Sequence, residues 1–132
     1  MLDASAAAKW FVKEEGSEEM SRVREKIVKE ELKGYAPEFI LIEIANLLRY
    51  AKNATPDDAQ NAVRSLEILL SLEEDRKLLQ GAIELAFKES ITVYDSLYVA
   101  LARSLGTRLV TCDEELLTKF DGLAIRADKL WE

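Results

Sequence analysis

Short apolar stretches alternate with helical segments along this chain, and that order constrains the fold more than any other feature. Arg108-Leu109-Val110-Thr111-Cys112 reads as a buried strand, residues 114–120 as a short helix, and Leu123-Ala124-Ile125-Arg126 as a final strand. Strands separated by helices imply a parallel sheet covered on both faces. Upstream, Ala6-Ala7-Ala8-Lys9-Trp10 has strong helix propensity, which predicts a helix over 4–12. A polar helix follows over 17–32, with Ser17 as its cap. Tyr35-Ala36 is a short extended piece, because Pro37 biases the residue before it away from the helical region. Further helices are expected over 38–52, over 55–72 with Pro56 in the first turn, over 79–88, and over 95–105 up to Gly106. The expectation is one domain over 1–132, a small three-layer α/β/α sandwich with more helix than sheet. In such sheets ligands sit beyond the carboxyl ends of the strands.

Four acids break or end the apolar segments. Asp3 closes Met1-Leu2-Asp3, and Glu43 splits Phe39-Ile40-Leu41-Ile42-Glu43-Ile44-Ala45. Asp95 ends Ile91-Thr92-Val93-Tyr94-Asp95, and Asp113 ends Leu109-Val110-Thr111-Cys112-Asp113. A carboxylate taken out of water needs a cation or several hydrogen-bond donors. Taken singly, Asp3, Asp95 and Asp113 precede or begin helices, where an aspartate caps free N–H groups. Glu43 has no such explanation, since it lies inside an apolar helix, where it forms a polar notch with Asn46. If the four converge, the natural partner is a divalent cation held by oxygen ligands.

Composition narrows the chemistry further. The chain has no histidine and a single cysteine, Cys112. Ser-His-Asp and Cys-His catalysis, His-ligated zinc, an intrachain disulfide and a multi-cysteine metal site are all excluded. Cys112 reads as a small buried hydrophobe, because nothing nearby in sequence would stabilise a thiolate. Catalysis would have to come from carboxylates, hydroxyls, lysines, tyrosines or a bound ion. The net charge of −7 argues against a nucleic-acid coat protein, which would carry a broad basic face. No apolar run approaches the roughly 18 residues needed to cross a bilayer, and no secretory signal opens the chain. A soluble cytoplasmic protein is the expectation.

Read together, these segments resemble the PIN domain, and within it the VapC-type ribonuclease toxins. Leu2-Asp3-Ala4-Ser5 with Lys9-Trp10-Phe11 is similar to the family's first acid and the helix after it. Pro37-Glu38-Phe39 through Glu43-Ile44-Ala45-Asn46-Leu47 resembles the helix bearing the second acid. Tyr94-Asp95-Ser96-Leu97-Tyr98-Val99-Ala100-Leu101-Ala102 is similar to the third-acid motif, and Leu109-Val110-Thr111-Cys112-Asp113 to the strand carrying the last. The four motifs stand in the family's order across essentially the whole chain. In family members several apolar residues precede the first acid, whereas here only Met1 and Leu2 do, so either the first strand is shortened or the true start lies upstream of Met1.

The resemblance implies a metal-dependent endoribonuclease. Asp3, Glu43, Asp95 and Asp113 would hold Mg²⁺ or Mn²⁺, directly or through water, and Ser5, Asn46 and Thr111 would orient them. It also implies an RNA substrate, a small VapB-like antitoxin as partner, and a homodimer. Lys9, Arg49 and Lys52 are the cations considered for contact with RNA. A non-catalytic PIN-like scaffold, with the acids serving as caps, is the alternative from another class. A haloacid-dehalogenase-like phosphatase would want a second aspartate where Ser5 stands, and a receiver would want paired acids after the first strand.

Overall fold

A computed structural model describes residues 1–131. The sheet is assembled from very short pieces. Strand β1 (Gly34–Pro37) runs parallel to β2 (Leu70–Glu73), with Gly34 opposite Leu70 and Pro37 opposite Glu73. Strand β3 (Leu109–Val110) runs parallel to β4 (Ala124–Ile125). The start of the chain lies between the two pairs. Leu2 forms a parallel bridge with Val110. The Leu2 N–H donates to the Tyr35 carbonyl at 3.1 Å, the Val110 N–H to Met1 at 2.8 Å, and the Asp3 N–H to Val110 at 3.2 Å. The order across the layer is therefore β2, β1, residues 1–3, β3, β4. The first strand is shortened almost to a single residue, yet it joins both halves.

Seven α-helices pack around this layer among the described residues: α1 (Ala4–Ala7), α2 (Ser17–Val28), α3 (Phe39–Arg49), α4 (Pro56–Leu69), α5 (Asp75–Glu89), α6 (Val93–Leu105) and α7 (Glu114–Lys119). The result is the expected helix-rich α/β sandwich with a small parallel sheet. Ile40 and Ile44 of α3, Leu66 of α4, Leu101 of α6 and Leu109 of β3 are fully buried and meet in one contiguous core. Leu2 belongs to that core as well, so the residue before Asp3 is anchored by burial despite the shortness of its strand.

Several expectations need correction. The helix predicted over 55–72 ends at Leu69, and Leu70-Ser71-Leu72-Glu73 is strand β2. No glycine or proline separates the two, so only the pairing with β1 makes the segment extended. The first helix is a single turn that tightens into a 3₁₀ turn over Ala8–Trp10, with the Phe11 and Val12 N–H groups both returning to the Ala8 carbonyl. Ser17 does not cap α2. Gly16 takes the cap position at φ +88°, a conformation that favours glycine, and the Ser17 hydroxyl instead accepts from the Glu14 N–H at 2.9 Å.

Helix α3, which carries Glu43, has an unusual start. Its own Glu38 makes no side-chain cap. Asp75, at the beginning of α5, accepts from the Phe39 N–H at 3.1 Å and supplies the missing acceptor from 36 residues away. Asp75→Ala should therefore lower stability by about 1 kcal/mol in urea denaturation, the ordinary value of a lost cap, and Asp75→Asn should restore most of it.

Candidate active site

Asp3 leaves the sheet at the carboxyl end of the central segment and is only 5% exposed. Its carboxylate is held on all sides. Oδ1 accepts from the Ser5 hydroxyl at 2.7 Å and the Ala6 N–H at 3.0 Å, and Oδ2 accepts from the Thr111 hydroxyl. The network continues outward. The Ser5 hydroxyl accepts from the Cys112 N–H at 2.9 Å, and the Thr111 hydroxyl accepts from the Asp113 N–H at 3.0 Å. Burial raises the Asp3 pKa, the three donors oppose that rise, and the charge of Asp95 adds to it.

Asp113 follows β3 and caps α7, its Oδ1 accepting from the Glu115 and Leu116 N–H groups at 2.8 and 3.2 Å. Asp95 is not a cap. Helix α6 begins two residues earlier than expected, at Val93, and the Thr92 hydroxyl accepts from the Asp95 N–H at 3.0 Å. Thr92 thus takes the capping work and leaves the Asp95 carboxylate in the first turn for something else. Burial raises the Asp95 pKa, Asp113 and then Glu115 raise it further, and the Thr92 hydroxyl pulls it down.

Glu43 is half-buried on α3, and its Oε1 accepts from the Tyr98 hydroxyl. Burial raises its pKa, Tyr98 opposes the rise, and the charges of Asp95 and Asp3 reinforce it. Asp3, Glu43, Asp95 and Asp113 therefore share one electrostatic neighbourhood, with Asp95 coupled to the other three. Asn46 stands apart. It is exposed one turn beyond Glu43, and among the described residues no side-chain hydrogen bond joins it to the acids.

The donor set is entirely oxygen, which suits a hard divalent cation. Among the described residues no group of three or more acidic or thiol side chains is gathered around a common point as a finished metal cage. The chemistry of the donors fits such an ion all the same. Carboxylates that raise one another's pKa repel, and a cation between them is what removes the repulsion.

The PIN domain family matches residues 1–123 of this chain. Ribonuclease VapC3 of Pyrobaculum aerophilum is 35% identical over 129 residues, a match covering 93% of this chain and 95% of the relative. This chain is a PIN-domain protein of the VapC type. Among solved structures, the PIN-domain chain is similar to PAE2754 from Pyrobaculum aerophilum, with a TM-score of 0.68 at 28% identity, covering 98% of this chain and 90% of that one.

Three residues of this PIN domain escaped the sequence reading. Tyr98 is 1% exposed and holds Glu43, Thr92 caps α6, and the charge of Glu115 bears on Asp95. Only Tyr98 left a trace in the sequence, through its position three residues after Asp95 on the same helix. Burial raises the Tyr98 pKa far above the ordinary tyrosine range, with Glu43 adding to the rise, so its hydroxyl stays a donor. Cys112 is half-buried and its thiol is pushed up by desolvation, as an unreactive cysteine should be. Of the cations considered for RNA, Lys9 pairs with Glu14 at 3.3 Å, Arg49 lies 5.2 Å from the Tyr50 ring centre, and Lys52 lines a groove beside Trp10 and Leu48.

The raised carboxyls have a stability signature. A folded pKa above the unfolded one means that the folded state holds more protons between the two values. Stability contributed by such a group is present below the unfolded pKa and is lost as pH rises through the folded one. Asp95, raised from 3.8, should behave this way in the metal-free protein. Asp95→Asn should match wild type in urea denaturation at pH 3 and exceed it at pH 7, since the asparagine keeps the shape and drops the charge.

Proposed function

We propose that this PIN-domain chain is a metal-dependent endoribonuclease, the toxin of a VapBC-type toxin–antitoxin pair, which hydrolyses RNA phosphodiester bonds. The observation that carries the reading is the hydrogen-bond network that joins Asp3 to Ser5 and Thr111 and Thr111 to Asp113, with Tyr98 tying Glu43 to the helix that bears Asp95. Carboxylates that raise one another's pKa are a poor structural device and a good cation site. The name of the VapC3 relative supports the nuclease activity and the antitoxin partner.

Each side chain has a distinct part. Asp3, Glu43, Asp95 and Asp113 would hold Mg²⁺ or Mn²⁺, directly or through water. Ser5 and Ala6 take both acceptor positions of Asp3 Oδ1 and Thr111 takes one on Oδ2, so the acceptor capacity left to Asp3 is on Oδ2. The hydrogen bonds to Asp113 fall on Oδ1 and that to Glu43 on Oε1, leaving Asp113 Oδ2 and Glu43 Oε2 without a protein partner among the described residues. Held by these carboxylates, a divalent ion would supply an acidified water and charge compensation at the scissile phosphate. Hydrolysis then forms one phosphorus–oxygen bond from water and breaks the one to the leaving ribose oxygen.

A groove of about 590 Å³ adjoins the acids through the Cys112–Ser5 bond, but Glu15, Glu19, Glu114 and Asp128 outnumber Lys9 and Arg126 along it, so its charge does not suit an RNA backbone. A second groove, of about 610 Å³, has Trp10, Phe11 and Leu48 on one side and Arg24, Lys52 and Asp58 on the other, and suits an amphipathic antitoxin segment. A homodimer belongs to the same reading, supported by the exposed stripe Leu79, Ile83 and Phe87 on α5. No helix among the described residues is long and apolar enough to cross a membrane, and a cytoplasmic location goes with an RNA substrate.

The test is cleavage of a structured RNA mixture in Mn²⁺, with a thermal melt alongside. Wild type should cut and be stabilised by Mn²⁺, and EDTA should abolish both. Thr111→Val should lose about 10–100-fold in activity, the usual effect of removing an orienting partner, and Asp95→Asn should lose more. Neither cleavage nor Mn²⁺ stabilisation would favour the non-catalytic scaffold.

A further inference from the structure

We propose that Tyr98 is a positioning residue that sets the direction of the Glu43 carboxylate in the acid site, an inference that rests on the nuclease reading above. Tyr98 lies on α6 one turn after Asp95, and its hydroxyl donates to Glu43 Oε1 on α3. The residue that aims Glu43 is thus carried by the helix that bears Asp95. The two acids are tied to each other through a single rigid side chain, not through separate parts of the fold.

The surroundings make the tie specific. At 1% exposure the Tyr98 ring is immobilised by the core, so its hydroxyl has one place to point. Buried this deeply it cannot touch an RNA substrate, and it can act only through Glu43. A glutamate has three rotatable side-chain bonds and, half-buried, would otherwise sample several directions. Fixing Oε1 leaves Oε2 as the oxygen without a protein partner among the described residues. A second contact keeps the helices in register. Phe39, four residues before Glu43, stacks on Tyr94, four residues before Tyr98, with ring centres 5.1 Å apart and planes 11° apart. These two rungs, one helical turn apart, make the α3–α6 spacing at the acids a property of the aromatic side chains. Asp75, capping α3 at the Phe39 N–H, holds the lower rung from a third helix.

The experiment compares wild type, Tyr98→Phe, Glu43→Gln and the double variant. Each is followed by Mn²⁺ titration of the melting temperature and by steady-state cleavage of RNA. Phenylalanine keeps the buried ring and removes only the hydroxyl. For Tyr98→Phe the Mn²⁺ concentration giving half-maximal stabilisation should rise, and kcat fall, by about 10–100-fold. The KM for RNA should stay at its wild-type value, and the metal-free melting temperature should fall by no more than the loss of one hydrogen bond. In the Glu43→Gln background the same substitution should change nothing further, because its effect passes through Glu43. Additive losses, or a metal-free melting temperature that falls in step with activity, would mean that Tyr98 is only a core residue. A Mn²⁺-responsive wild type with an unaltered Tyr98→Phe overturns the positioning role alone. A wild type blind to Mn²⁺ in both measurements overturns the nuclease reading and this role with it.

Discussion

Asp3 is a nearly buried carboxylate placed where the two halves of the sheet meet, and the geometry around it follows from the need to compensate that charge. Its two oxygens take donors from Ser5, Ala6 and Thr111. Each of those donors is fixed by a different piece of backbone. Ala6 contributes the first helical turn, and Thr111 contributes the end of β3. Ser5 is itself bonded to the backbone of Cys112. Removing water from a carboxylate is costly, and hydrogen bonds from several directions are how proteins offset it. The same bonds that stabilise Asp3 lock α1 to β3, and so fix where Asp113 can stand.

The neighbouring acids work against this arrangement. Asp95 adds to the burial that raises the pKa of Asp3, and Asp113 does the same for Asp95. Such a cluster weakens the metal-free fold, and the core has to outweigh it. Ile40 and Ile44 on the helix that bears Glu43, and Leu66 of α4, are completely buried, and Leu2 is buried directly before Asp3. Rigid apolar packing lets the strain persist at one end of the sheet without disturbing the rest.

Much of this was legible in the sequence, and for identifiable reasons. Glu43 inside an apolar helix and Asp113 at the end of an apolar strand are local contradictions, and such contradictions mark sites. The alternation of strands and helices was equally local. Strand β2 was not, because Leu70-Ser71-Leu72-Glu73 continues a helical pattern without a breaker, and only β1 beside it decides otherwise. Asp95 looked like a cap because the capping role of Thr92 depends on where α6 actually begins. The link from Tyr98 to Glu43 joins residues 55 apart, and the Asp75 cap joins residues 36 apart. Periodicity along one helix carries no information about contacts of that kind.

The bond between Thr111 and Asp3 spans 108 positions of the chain. A ribosome delivers residues in order, so a growing chain holds Asp3 long before the partner that orients it exists. Until β3 has been made, the central segment has a neighbour on one side only, and Asp3 is one more solvated acid on an unfinished surface. The seam of the sheet and the acid cluster close in the same late event, since loop closure over that distance must come before the contacts that reward it. Incomplete chains therefore carry Asp3, Glu43 and Asp95 without the geometry that Thr111 and β3 impose.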